Sequence, residues 1–160
     1  MSIRVTPKGT RGTGFPRFLR VGMRLGVGWM VRQYRRKGTA MRVNGRPLLL
    51  VTTVGARSGE RRQVLLARFP DGESAASWIV AGTAGGSAAH PAWFLNMARN
   101  PDKVWVETDG KEIRVRPESL EGAERDAAWE HIVSLAPSFG RYPKNTDRII
   151  PVVRLTAIDA

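Results

Sequence analysis

Three arginines stand within six residues in VTTVGARSGERRQ (Val51–Gln63): Arg57, Arg61 and Arg62. A guanidinium makes forked hydrogen bonds to phosphate or carboxylate, and Gly55 and Gly59 let backbone approach a ligand closely. β-like runs flank the stretch, LLLVTTV before and RQVLLARF after. A hairpin turn between them needs the glycines but not the arginines. The stretch therefore reads as an anion-binding turn or as an exposed hairpin carrying ordinary surface charge.

Two further stretches hold residues of the right kind for a ligand. In AGTAGGSAAHPAWFLN (81–96) a strand ends, a small-residue loop follows, and a helix starts near Pro91. Thr83, Ala84, Gly85, Gly86 and Ser87 offer amides unshielded by large side chains, a cradle for phosphate or a flat polar ring. Trp93 is suited equally to walling a planar ligand and to a core. In APSFGRYPKNTDRIIP (136–151) Pro, Gly and Asn break regular structure around Phe139, Tyr142, Arg141, Lys144 and Arg148. An aromatic lid over a pocket has this composition, and so does a packed surface loop.

What is missing narrows the chemistry. The sequence has no GxSxG, no Walker loop, no GxGxxG after a strand and no HExxH. Its two histidines, His90 and His131, lack neighbours at ligand spacing, so no metal site is expected; His131 reads as a surface residue and His90 as capping the turn before Pro91. With no cysteine there is no disulfide, thiolate ligand or thiol nucleophile. The carboxylates cluster in turns and on a helix that reads as solvated. Any enzyme built from this inventory leaves the chemistry to a bound cofactor and supplies position and field.

The elements that must position these residues follow from the patterning. At 160 residues the chain is long enough to bury one proper core as a single domain. Residues 1–14 show little periodicity and are expected to be flexible. Over residues 15–38 the pattern is a basic amphipathic helix. Arg17, Arg20, Arg24, Arg32 and Arg35 fall within roughly 120° of arc, opposite Phe18, Leu19, Gly22, Met23, Leu25, Trp29 and Met30. From residue 39 to 160 short Val-, Ile-, Leu- and Thr-rich runs are separated by turn signals such as PDGE and DGK, with helices near 90–99 and 121–136. Five or six mostly antiparallel strands with helices outside predict an α+β small barrel.

The formal charge of +12 is unevenly placed: thirteen of the 26 basic residues precede the first carboxylate, Glu60. An anionic partner near the N-terminal part is implied. Trp and Met opposite arginines fit a helix lying on an anionic membrane surface, and equally a helix packed on its own barrel. No apolar run approaches the ~20 residues of a membrane span, and arginines interrupt any signal-peptide core, so a cytoplasmic protein, peripheral to the inner membrane face at most, is the expectation.

Taken in order, three stretches resemble the deazaflavin-dependent nitroreductase family, whose members use coenzyme F420. They are LLLVTTVGARSGERRQVLL, VAGTAGGSAAHPAWFLNMARNP with its G-G…P-x-W-x-x-N…N-P pattern, and TDRIIPVVRL. The resemblance runs from about Arg46 to the C-terminus. It implies a split β-barrel of flavin-reductase type and hydride transfer from the reduced deazaflavin to a quinone, an enone or unsaturated lactone, or a nitroaromatic. On this chain it assigns Arg57, Ser58, Gly59 and Arg62, with Arg61 and Gln63 alongside, to the cofactor's phosphate and acidic tail. It assigns Thr83, Ala84, Gly85 and Gly86 to the deazaflavin ring, with Trp93 lining the site. Phe139, Tyr142 and Asn145 match substrate-side tyrosines, and Tyr142 or Thr83 would deliver the proton. Two departures stand out. Ala84 replaces a frequent Lys, and Phe139 and Asn145 replace hydroxyl-bearing or aromatic side chains, which argues against nitroimidazole substrates. The rival readings are an FMN-binding split-barrel oxidoreductase and a non-catalytic basic module on anionic lipid; nucleic acid fits less well, because few exposed aromatics interleave with the basic residues. Oligomeric state is not legible.

Overall fold

The computed structural model describes residues 3–14, 17–37 and 41–158, and within the first helix it describes side chains only from residue 26 onward. Eight strands form one sheet in the order β1-β2-β6-β7-β8-β5-β4, with β3 on β2, and every pairing is antiparallel. They are β1 (Arg42–Val43), β2 (Arg46–Val54), β3 (Arg61–Ala67), β4 (Phe69–Pro70), β5 (Ser77–Ala81), β6 (Trp105–Thr108), β7 (Lys111–Ser119) and β8 (Val152–Ala157). The two beyond the sequence expectation are β1 and β4, whose two residues each are too short to show a period. Among the described residues four α-helices accompany the sheet: α1 (Arg17–Lys37), α2 (Ala92–Arg99), α3 (Gly122–Leu135) and α4 (Tyr142–Asn145). The sheet curls into a split β-barrel.

The side-chain alternation of a strand sorts the apolar residues into separate cores. Leu49 and Val51 of β2, Val106 of β6, Val115 of β7, Val153 and Leu155 of β8, and Val80 of β5 fill the barrel interior. Trp93, Phe94 and Met97 of α2 cap them. The other face of β5 and β8 packs Ile79, Ala81 and Val152 against Ile132 of α3 and Phe139. The other face of β2 packs Leu48 and Leu50 against Val31 and Tyr34 of α1. Each fully buried apolar side chain contributes about 1.5–3 kcal/mol. The tight turns follow their residue types: Asp109-Gly110 and Asn44-Gly45 both have positive φ at the two central positions, as a two-residue hairpin requires.

Helix α1 is fastened by its C-terminal half. The Tyr34 hydroxyl donates to the Glu107 carbonyl at 2.9 Å, and Arg35 forks onto the Glu107 carboxylate at 2.9 and 3.2 Å. The face that packs is therefore Val27, Val31 and Tyr34. Trp29, placed by the sequence on the apolar side with Met30, is 65% exposed. It lies two residues from Val27, at about 100° per residue, so it looks away from the barrel. The side chains of the helix's first half, with Arg17, Arg20, Arg24, Phe18, Leu19, Met23 and Leu25, lie outside the described residues. No helix among the described residues is long and apolar enough to cross a membrane.

Residues 3–14, expected to be flexible, instead run as a strap across one mouth of the barrel. Ile3 is buried in the interior core. The Gly9 amide donates to the Ala88 carbonyl at 2.7 Å and the Thr13 amide to the Gly86 carbonyl at 3.0 Å. Backbone pairing of this kind depends on the shape of the surface beneath, so the strap's own sequence carries no periodic signal.

Candidate functional site

The turn after β2 is exposed from Ala56 to Gln63. It closes on itself, with the Gly55 amide donating to the Glu60 carbonyl at 2.8 Å and the Gly59 amide to the Gly55 carbonyl at 3.0 Å. Gly59 has φ +69, which suits glycine. Strand alternation then separates the arginines. Arg62 pairs in register with Thr53, whose hydroxyl accepts from the Asn96 amide of α2 at 3.2 Å, so Arg62 shares the α2 side of the sheet. Arg61 and Gln63 take the opposite side. There Arg61 lies 4.6 Å over the Trp105 ring and bonds Glu112 at 2.7 Å. Arg62 makes an exposed pair with Glu60 at 3.3 Å. Arg57 makes no ion pair among the described residues. The structure thus brings Arg57, Ser58, Gly59 and Arg62 together and directs Arg61 and Gln63 away.

The loop after β5 is more tightly built. Thr83 has right-handed helical angles, and Ala84, Gly85 and Gly86 follow with φ of 45, 63 and 81. Ala84 in the left-handed region costs roughly 1–2 kcal/mol. A right-handed residue followed by left-handed ones curls successive amides into a concave anion nest. The Gly86 and Ser87 amides close the turn onto the Thr83 and Ala84 carbonyls at 2.8 and 3.1 Å. Among the described residues the amides of Thr83, Ala84 and Gly85 have no hydrogen-bond partner.

Helix α4 stands against this loop. A Cβ added at Gly86 would lie 3.0 Å from the Asn145 Cβ and 3.5 Å from the Tyr142 carbonyl. Tyr142 is half-buried and Asn145 exposed. The Tyr142 ring packs on the outer core beside Phe139, while the Asn145 side chain and the Tyr142 backbone carbonyl meet the assigned ring loop. Phe139 does not line it. At 6% exposure it sits in a core, edge-on to Phe69 at 5.4 Å and to Tyr142 at 5.5 Å, and backs the tyrosine. Its missing hydroxyl follows from that burial. Trp93 is also a core residue, 7% exposed and edge-on to Phe94, because the inward face of α2 caps the barrel.

Four contributors differ from the sequence reading, which leaves out Asn96 and Asp147, groups Arg148 with the aromatic lid and reads His90 as a cap. Asn96, buried on α2, accepts from the Ala56 amide at 3.0 Å and so pins the arginine turn to the helix that follows the ring loop. From Ala92 to Asn96 that helix rises about 6 Å, which sets how far the turn is held from the helix start. Arg148 is 4% exposed and reaches back to the ring loop. Asp147 accepts from the Thr10 amide at 2.8 Å, the Thr10 hydroxyl and the Arg11 amide at 3.2 Å. The Thr10 hydroxyl and these amides hold its carboxyl at about 2. His90, 8% exposed, caps nothing. Its Nε2 lies 2.7 Å from the Thr6 carbonyl and its Nδ1 3.1 Å from Arg148 Nη1. The carbonyl requires a donor at Nε2, so Nδ1 accepts from the guanidinium and the ring is neutral. Burial lowers its pKa, with Arg148 beside it acting the same way. The spacing T-D-R after an irregular aromatic segment was visible in sequence, but the partners lie more than fifty residues away.

Comparison with known proteins gives concordant results. Residues 27–157 match the family described as F420H(2)-dependent quinone reductase. A solved structure described as an F420-H2 dependent reductase, FDR-A, is 34% identical, covering 72% of this chain and 98% of its own, with a TM-score of 0.59. Another, described as a domain-swapped dimer, is 32% identical over 81% and 98%, with a TM-score of 0.60. ChuZ of Campylobacter jejuni, at 14% identity over 82% of this chain and 53% of its own and a TM-score of 0.50, shares the fold alone.

Proposed function

The chain belongs to the F420H2-dependent quinone reductase family, and from that premise we propose that it reduces an electron-poor acceptor of the quinone, enone or unsaturated-lactone class at the mouth formed by Thr83–Gly86 and Tyr142–Asn145. It is an F420-dependent oxidoreductase. The observation that carries the proposal is the nest at Thr83, Ala84 and Gly85 beside Tyr142, whose amides have no partner among the described residues, with Arg57 across α2 lacking an acid partner among those residues. A flat polar ring with a phosphate and an acidic tail fits that distribution of donors and charge. Reduced F420, when bound, supplies the hydride.

The protein's residues do the rest. Arg57 and Arg62, with the Ser58–Gly59 turn, would hold the acidic tail. The nest would take the ring edge, and Gly86 leaves room for Asn145 to close over it. Tyr142, braced by Phe139, would give its phenolic proton to the acceptor oxygen as that oxygen becomes anionic, with the Thr83 hydroxyl, unengaged among the described residues, as the second donor. No protein nucleophile is required, since proximity and orientation carry the transfer. Asn145 offers no aromatic wall, so the reading favours acceptors other than a nitroimidazole. Titration of the purified protein with F420 and with FMN tests the reading. Saturable F420 binding is expected, and tight FMN binding without any F420 binding would replace it with the flavin reading.

The exposure of Trp29 beside Arg32 and Arg36 supports a second element of the proposal, a peripheral contact of α1 with anionic lipid. Co-sedimentation with anionic vesicles is expected for wild type and reduced in Trp29→Ala; equal pelleting of the two would remove this element.

A further inference from the structure

Arg148 is a buried cation with no carboxylate partner among the described residues. A charge in that position is costly unless its donors are all satisfied. Here the acceptors come almost entirely from one loop. Nη1 donates to the Gly82 carbonyl at 3.0 Å, Nη2 to the Thr83 carbonyl at 2.9 Å and Nε to the Ser87 carbonyl at 3.0 Å. The remaining contact is His90 Nδ1. In a trans peptide the N–H points opposite to the C=O of the same plane. Turning the Gly82 and Thr83 carbonyls toward Arg148 therefore turns the Thr83 and Ala84 amides away from it. Those are two of the three unpartnered amides of the nest.

The outer side of the same loop is covered by the N-terminal strap. The Asp147 carboxylate takes the Thr10 and Arg11 amides and the Thr10 hydroxyl, and the Thr146 hydroxyl donates to the Arg11 carbonyl at 2.8 Å. Immediately after those anchors Gly12 lies directly on the loop. A Cβ there would come within 2.3 Å of the Ala88 nitrogen and 2.7 Å of the Gly86 carbonyl oxygen, both backbone atoms that cannot swing aside.

We propose that Arg148 and Asp147 are positioning residues of the cofactor site: Arg148 turns the Thr83 and Ala84 amides toward the ligand from inside, and Asp147 latches the strap over the loop from outside. The strained Ala84 conformation persists because both sides are held. The inference rests on the F420 reading of this site and adds residues which that reading does not include.

The test uses full-length protein carrying Arg148→Lys, Asp147→Asn, Gly12→Ala, or the last two together. The readouts are F420 titration, steady-state kinetics with a soluble quinone, and melting temperature. A lysine ammonium cannot span three carbonyls as the guanidinium fork does, so Arg148→Lys is expected to weaken F420 binding about hundredfold. Asp147→Asn removes a charged acceptor of several hydrogen bonds and is expected to raise the KM for F420 about tenfold while kcat stays within about threefold. Gly12→Ala lifts the strap without touching Asp147 and should give the same split. Because both changes open one latch, the double variant should be no worse than the poorer single.

Additive effects in the double variant, or unchanged F420 affinity in Arg148→Lys and Asp147→Asn, would overturn the inference while wild-type binding left the function intact. Absence of F420 binding by wild type would instead sink the functional reading. If Arg148→Lys fails to fold, the two exposed positions, Asp147 and Gly12, decide the matter, since a merely structural role would lower the melting temperature without splitting KM from kcat.

Discussion

The turn Gly55–Gln63 and the loop Gly82–Ser87, the two halves of the proposed cofactor site, both carry positive charge but differ in where that charge sits. In the turn the cations themselves stand in solvent: Arg57 and Arg62 are exposed, and their pull is screened by salt over a Debye length of about 8–10 Å. In the loop the cation is buried, and a ligand meets it only through the peptides that Arg148 orients. On the proposed reading the first arrangement would capture a mobile anionic tail and the second would fix a rigid ring in one pose. A site that must hold a hydride donor within van der Waals distance of an acceptor needs the second more than the first.

The largest effect should come from the loop. Gly86 has φ +81, and any Cβ there meets Asn145 at 3.0 Å. Gly86→Val is expected to weaken F420 binding by more than about hundredfold and to lower stability by roughly 1–3 kcal/mol, as strained left-handed positions do. Titration and thermal melting check both figures. Near-normal affinity in this variant would mean that the ring does not use the loop. Next comes the turn. Arg57→Glu together with Arg62→Glu should cost up to about hundredfold in F420 affinity, from two charge-assisted contacts. Melting temperature should stay put, and what affinity survives should lose most of its salt dependence. A salt dependence equal to wild type would place the acidic tail elsewhere.

A smaller effect separates the two regions by pH. The His90 pKa is lowered in the folded state by burial and by Arg148. The unfolded chain therefore binds a proton more readily than the folded one as pH falls below about 6.5. Stability contributed at His90 is full above that pH and is lost on acidification. A drop in melting temperature between pH 6.5 and 5, absent in His90→Gln, is expected. The latch at Asp147, whose carboxyl is held at about 2, should stay charged throughout that range. If His90→Gln keeps the acid-side drop, the sensitivity belongs to another group.

The contrast also explains what was legible in the sequence. Local features were: β2, β3, β5 and β7 by their runs, the Asp109-Gly110 turn by its residue types, and the exposed arginine turn by its glycines. The resemblance then joined the ring loop to Tyr142 and Asn145, which the structure does bring together. Features made by long-range pairing were not legible. Thr10 reads as tail until Asp147 is beside it, 137 positions on, and Arg148 reads as one more surface cation until its carbonyl partners appear. Face assignments stay open in sequence where two environments compete: Trp93 and Phe139 are aromatic enough to line a site, and in the structure they pack into the barrel and the outer core. In the described half of α1 Trp29 is exposed, because Val27, Val31 and Tyr34 are the residues that pack against Leu48 and Leu50.

The smallest expected effect is the one that most sharpens the comparison, because Arg61 sits next to Arg62 in sequence and on the other side of the sheet. Its guanidinium is already occupied, stacked 4.6 Å over Trp105 and bonded to Glu112 at 2.7 Å. Both partners lie in the β6–β7 hairpin, remote from α2 and the ring loop. Arg61→Ala should therefore lower stability by about 0.5–1 kcal/mol, the worth of an exposed cation–π contact and surface ion pair. It should leave the F420 dissociation constant within about threefold, since only long-range attraction is lost. Trp105→Ala should mimic the stability loss without touching binding. A tenfold or greater loss of F420 affinity in Arg61→Ala would show that the acidic tail wraps past the edge of β3 and draws on both faces. Alternation along the strand would then not be what selects the binding arginines.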